Sequence, residues 1–147
     1  MTTVNIYLLF DGNCSEAFDF YRSVFGGEFD SMSKFGEMPP REGQPPMPDE
    51  MKEMIMHVSL PIGGETVLMG SDNGGETGPS VKFGNNFSIS VNTDTVKETE
   101  KIFHALAKGG TITMPLEKTF WNAHFGMLTD KFGVNWMVST DLPETGM

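Results

Sequence analysis

The residues of this chain that could do more than pack are three histidines, a lone cysteine and one aspartate in a glycine turn. His57 stands in the run MIMHVSL. His124 stands in FWNAHFGMLTDKFGVNWMV, between Trp121 and Trp136, with Asp130 opening an Asp-Lys-Phe-Gly turn. Two histidines and a carboxylate are the ligand set of non-haem iron and related divalent sites, where the metal polarises a substrate oxygen. No short ligand spacing joins these three, and an aspartate heading such a turn ordinarily accepts from backbone amides. His104, on a helical stretch, reads as a partly exposed helix residue. Cys14 falls at a helix start, where the dipole would favour thiolate. No histidine is near it in sequence to act as a base, so a structural first-turn cysteine is the simpler reading. The serine-containing strands lack a nucleophile elbow.

The elements that must position these groups follow a repeated order. VNIYLLF is an apolar run of strand length, closed by Asp11-Gly12-Asn13. Asn13 with Glu16 three residues on matches a capping box. Ala17, Phe20, Tyr21, Val24 and Phe25 then recur at helical spacing, and Gly26-Gly27 ends the helix. EFDSMSKF reads as a strand and residues 36–51, rich in proline, as a long loop. MIMHVSLPIGGETVLMGSD reads as a hairpin turning at Gly63-Gly64. After the glycine-rich connector NGGETGPSVKFG the pattern returns. The strand NNFSISV is followed by a helix capped by Thr93 or Asp94, with Val96, Thr99, Phe103, Leu106 and Ala107 on one face. Three strand-like runs, TITMPLEKTFW, HFGMLTD and VNWMVST, complete it. The Gly-Gly pairs at 26–27 and 109–110 lie 83 residues apart, a shift that also brings Phe20 onto Phe103 and VNIYLLF onto FSISVNT. The repeated order therefore points to an α+β fold of two βαβββ modules. Module one covers about 1–72, a connector 73–84 and module two about 85–141, within a single domain of 147 residues.

Composition excludes several partners. Twenty acidic residues against ten basic ones give a formal charge of −10, which opposes binding to nucleic acid or an anionic membrane surface. No run approaches the roughly 20 apolar residues of a membrane helix, and the N-terminal run lacks the basic leader of a signal peptide. A single cysteine excludes an intrachain disulfide and a cysteine zinc cluster. The cytoplasm is the expected compartment.

The segments YLLFDGNCSEAFDFYRSVFGG, MHVSLPIGGETVLMGSD, NNFSISV and FWNAHFGMLTDKFGVNWMV together resemble the vicinal oxygen chelate superfamily. That superfamily contains glyoxalase I, the extradiol dioxygenases and the fosfomycin-resistance proteins. More closely, the chain resembles its PhnB-like, glyoxalase-like branch. The resemblance implies paired βαβββ modules forming curved mixed sheets around a cavity, and a homodimer. The branch often carries a demethylubiquinone methyltransferase label, but no glycine-rich strand–turn–helix loop for a methyl donor is present, since GGETG precedes no helical pattern.

Metal-using members of the superfamily take His, Glu or Gln ligands from the first and last strands of each module. Here those positions fall near Asn5 to Tyr7, near Met69, at Asn86 and at Met137, and amides and thioethers bind hard divalent ions poorly. No cofactor is expected, and metal-dependent glyoxalase I chemistry is argued against. What the resemblance leaves is a cavity lined by Tyr7, Met69, Ser88, Trp121, Phe125 and Trp136, with His57 and His124 as polar contributors. Aromatics with a few polar groups describe a small-molecule pocket. In it Trp121 and Trp136 would pack a partly apolar ligand, while His57, Ser88 and Tyr7 orient it. Two alternatives stand beside this reading. One is a divalent-metal lyase, isomerase or dioxygenase using a rearranged His57 and His124 site. The other is a non-enzymatic sequestering module, with the 36–51 loop closing over a partner.

Overall fold

The structure is a computed structural model that describes residues 2–39, 42–43, 45–73 and 80–143. Its contacts divide the chain into two units, Met1–Lys82 and Phe83–Met147. In the first unit the elements are β1 (Ile6–Phe10), α1 (Cys14–Phe25), β2 (Ser31–Lys34), a 3-10 turn (Phe35–Glu37), α2 (Asp49–Lys52), β3 (Ile55–Gly63) and β4 (Thr66–Asp72). In the second they are β5 (Ile89–Asn92), α3 (Val96–Ala107), β6 (Thr111–Lys118), β7 (Ala123–Thr129) and β8 (Asn135–Asp141). Each unit holds one four-stranded mixed sheet, in the order β1-β4-β3-β2 and β5-β8-β7-β6 respectively. The first strand runs parallel to the last, and the remaining pairings are antiparallel. This is the α+β fold of two βαβββ modules that the repeated pattern predicts.

Each sheet is covered by its long helix on one face. In the first unit Phe18 of α1 lies on Gly70 of β4, where an added methyl group would come within 2.6 Å of the ring. Leu8, Phe10, Val58, Leu60 and Leu68 complete that core, each buried aliphatic or aromatic side chain stabilising by about 1.5–3 kcal/mol. In the second unit Phe103 of α3 lies on Gly126 of β7, with 2.7 Å to an added methyl. The two arrangements are equivalent but reversed. Val58 of β3 pairs with Gly70 of β4, whereas Gly126 of β7 pairs with Val138 of β8. One glycine and one valine therefore share the space under the phenylalanine in both modules, on exchanged strands.

Several local expectations change. The helix faces are rotated: α1 buries Cys14, Ala17, Phe18 and Tyr21, and α3 buries Thr99, Ile102, Phe103 and Leu106 while Val96 is exposed. The shift of 83 holds for the first strands, where Leu8 beside Gly70 and Val91 beside Val138 occupy equivalent places. It fails for the helices, because the ring under each helix belongs to Phe18 and Phe103, 85 residues apart. Asn13 makes no side-chain cap. The carboxylate of Asp72, at the end of β4, replaces it by accepting from the amides of Gly12 (2.9 Å) and Cys14 (3.0 Å), and its other oxygen takes Ile55 N–H (2.8 Å). The second helix is capped by Thr95, whose hydroxyl accepts from Glu98 N–H at 3.1 Å, rather than by Thr93 or Asp94. The β3–β4 turn falls one residue later than expected, with Gly63 still in the strand and Gly64 at φ 52°. Within residues 36–51, α2 begins at Asp49 and the 3-10 turn runs to Glu37; Pro40, Arg41 and Gln44 lie outside the described residues. No helix among the described residues is long and apolar enough to cross a membrane.

Candidate functional site

The face of each sheet that carries no helix is where side chains are left for chemistry. Because successive strand residues point to opposite sides, the glycine under each phenylalanine identifies the helix side, and the strand register sorts the rest.

In the first unit the helix-free face holds two rows of four residues running across the strands. Tyr7 pairs with Met69, Met69 with Ser59 and Ser59 with Ser31. In the next row Leu9 pairs with Ser71 and His57 with Ser33. Continuing the β3–β4 register one residue beyond Val58 and Gly70 sets His57 across from Ser71. The imidazole is thus bracketed by a serine on each neighbouring strand, at the usual spacing of about 4.8 Å per strand. The Tyr7 ring, half exposed, lies 5.8 Å from the His57 ring at a 35° tilt. Ser31 and Ser59 share a hydrogen bond of 3.1 Å.

In the second unit the equivalent rows are Ser90, Met137, Met127 and Met114, then Asn92, Ser139, Phe125 and Glu117. Ser139 Oγ donates to Asn92 Oδ1 at 3.0 Å. Trp121 sits in the β6–β7 turn, half exposed, edge-on to Phe120 at 4.9 Å and to Phe125 at 5.7 Å. Ser88 is half-buried one residue ahead of β5, in phase with Ser90.

Two of the expected lining residues stand on the opposite side of their sheet. His124 and Phe125 are consecutive strand residues, as are Trp136 and Met137, so neither pair can share a face. Phe125 and Met137 take the helix-free side. Trp136 is fully buried on the helix side, its indole N–H donating to Asp130 Oδ2 at 2.8 Å. Asp130 also accepts from Phe132 and Val134 amides at 2.8 and 3.1 Å, so it is a turn and indole acceptor. His124 lies under α3 with Nε2 3.6 Å from Glu100 Oε1, and this buried nitrogen has no hydrogen-bond partner among the described residues. His124 therefore faces α3 and not the helix-free side that carries His57 in the other unit.

The inherited metal positions can be tested by donor chemistry. Adjacent first and last strands present Tyr7 beside Met69 in one unit and Ser90 beside Met137 in the other. Asn5 spends its carbonyl on the Val67 amide at 3.0 Å, and Asn86 is exposed in a bend ahead of β5. A phenol and a hydroxyl are neutral, weakly binding oxygens and a thioether is a soft donor, so these residues do not make the carboxylate or imidazole set that a divalent ion takes. Among the described residues no three His, Cys, Asp or Glu side chains converge. Cys14 is buried, and its thiol is pushed far above its ordinary pKa, first by burial and second by the Asp72 carboxylate. That is the reverse of an activated thiolate.

Ser31, Ser33, Ser59 and Ser71 were not singled out from the sequence. Their signal is the alternation SMS in β2 and the single serines of β3 and β4, and it becomes visible only once the register aligns them with His57.

The doubled βαβββ topology and these faces define a glyoxalase-like module pair. The chain belongs to the family described as 3-demethylubiquinone-9 3-methyltransferase, whose model matches residues 2–139. It is 34% identical over 139 residues to Protein YjdN of Escherichia coli K12, covering 90% of this chain and 91% of YjdN. Among solved structures it is similar to protein PA1353 from Pseudomonas aeruginosa, at 41% identity and a TM-score of 0.83, covering 97% of this chain and all of that one. It is also similar to the PhnB protein from Bacillus cereus, titled a putative 3-demethylubiquinone-9 3-methyltransferase, at 28% identity and a TM-score of 0.74, covering 95% and 99%. At the level of fold alone the likeness extends to a glyoxalase/bleomycin resistance protein/dioxygenase family enzyme from Burkholderia phytofirmans, at 18% identity and a TM-score of 0.55, covering 95% and 96%. The PhnB-like resemblance read from the sequence therefore holds, and that to the vicinal oxygen chelate superfamily holds for the fold.

Proposed function

We propose that this protein binds a small, partly apolar organic molecule on the helix-free face of its first sheet, without a divalent metal. The observation that carries the reading is the row of Ser71, His57 and Ser33, set beside Tyr7 and Met69. Hydroxyls and an imidazole fix orientation, while the phenol ring and the thioether supply adaptable apolar contact. Methyl transfer, which the family description names, is not carried over. The loop after β1 has a single glycine, and its amides at Gly12 and Cys14 are already taken by Asp72. The GGETG segment at 74–78 lies outside the described residues. A homodimer is proposed as the working state, favoured by the exposed aromatic pair at the β6–β7 turn, and the cytoplasm as its compartment.

The test is metal content of untagged protein purified without chelators, by plasma mass spectrometry, followed by a thermal-shift screen of small organic molecules. The reading expects well under one ion per chain and ligands that raise Tm by mass action. About one ion per chain would overturn the metal-free part. Stabilisation that survives replacement of His57 by leucine would overturn the site.

A further inference from the structure

We infer that the site, if the binding reading above is correct, is selective for an uncharged ligand bearing amide, alcohol or ketone groups, and discriminates against carboxylates, phosphates and amines. The inference rests on the two rows of the first sheet, which contain eight residues and no charge: Tyr7, Met69, Ser59, Ser31, Leu9, Ser71, His57 and Ser33. Three cations among the described residues of the first unit are held by carboxylates. Arg22 pairs with Glu28 at 3.0 Å, Lys34 with Glu53 at 2.9 Å and Lys52 with Asp49 at 3.2 Å. An anion brought onto this face would lose its hydration without gaining a counter-charge, and the chain's formal charge of −10 would oppose its approach. An ammonium would find no carboxylate in either row to receive it.

A neutral polar group meets the opposite situation. Ser31 and Ser59 satisfy one another, but the side-chain hydroxyls of Ser33 and Ser71 make no hydrogen bond with another described residue, and both can donate or accept. The imidazole between them supplies one donor and one acceptor when neutral. From Ser33 to Ser71 the row spans two strand spacings, about 10 Å, which matches a single ring with its polar substituent. Tyr7 beside His57 gives that ring an aromatic wall.

Benzamide, benzoate and benzylamine share one ring and differ in charge, so they make the test. Each is titrated into the full chain at pH 8, above the ordinary range of histidine titration. Binding is read from the His57 ring carbon–proton signal, assigned as the one missing from His57→Leu. The expected result is that benzamide moves this signal and binds about tenfold tighter than either charged analogue, a difference of about 1.4 kcal/mol. Ser33→Ala and Ser71→Ala, checked for folding by circular dichroism, should each weaken benzamide several-fold. Equal or tighter binding of benzoate or benzylamine at the same signal would overturn the neutral selectivity and leave the binding site standing. No movement of the signal with any of the three would overturn the site itself. Unchanged benzamide affinity in both serine variants would remove the hydroxyl row as its cause.

Discussion

At the residue scale the most informative side chains are those facing inward. His124 buries an imidazole nitrogen with no hydrogen-bond partner among the described residues, 3.6 Å from Glu100. Replacing a buried unsatisfied polar group with an apolar one of similar shape is neutral or favourable, so His124→Phe is expected to stabilise by up to about 1 kcal/mol, seen as a rise in Tm. A clear loss would show that the Glu100 contact outweighs the unpaired nitrogen. Asp72 is the converse case. Its two oxygens serve three backbone amides from two different segments, and Asp72→Ala would leave all three without this acceptor, those of Cys14 and Ile55 buried. A cost of about 3 kcal/mol or more in denaturant unfolding is expected. Cys14 sits against that carboxylate, its thiol held protonated. A thiol reagent at pH 8 should therefore leave the folded protein unmodified and react fully once denaturant is added.

At the element scale, each helix is seated by a phenylalanine on a glycine. Gly70→Ala would push a methyl group to 2.6 Å from Phe18 and should cost about 1–3 kcal/mol. Adding Phe18→Leu should recover part of that loss, giving a favourable coupling in a double-mutant cycle. The contact also shows what was legible in advance. The strands, the two long helices and their order could be read because alternation, helical spacing and Gly-Gly stops all agree, while the short α2 falls within what reads as a loop. Which side of α1 packs could not, because Phe18, Phe20, Tyr21 and Phe25 are all large and apolar, and only the bare patch at Gly70 selects Phe18. The α1 cap was hidden for a similar reason: Asn13 and Glu16 match the local pattern, while Asp72 arrives from a strand 58 residues away. Of the proposed site, His57 is legible as a strand residue in phase with Ser59, whereas Tyr7 and Met69 enter through the family resemblance. His124 and Trp136 fall on the helix side because the two-residue strand alternation separates them from Phe125 and Met137.

At the scale of the whole molecule, the proposed homodimer would be seated at the turn joining β6 and β7. Phe120 is 97% exposed and Trp121 54%, and the turn is held by Thr119, whose hydroxyl accepts from Ala123 N–H at 3.1 Å, and by Asn122 at φ 63°. Each such aromatic can bury roughly 150–250 Å², a substantial share of the roughly 800 Å² per partner of a standard interface. If the second copy is seated there, Phe120→Ser with Trp121→Ser should shift the protein from dimer to monomer in sedimentation velocity while circular dichroism stays unchanged. A dimer that persists would place the interface elsewhere. The exchanged glycine and valine beneath Phe18 and Phe103 reach further, into ancestry. If both modules descend from one duplicated unit, each copy cleared room for its ring on a different strand. A lineage can then move a side chain from one strand to its neighbour, but it cannot keep both or neither. Across homologous chains the two positions should vary inversely in volume. A hybrid joining β3 to β8 would inherit two valines and a clash, and one joining β7 to β4 two glycines and a void.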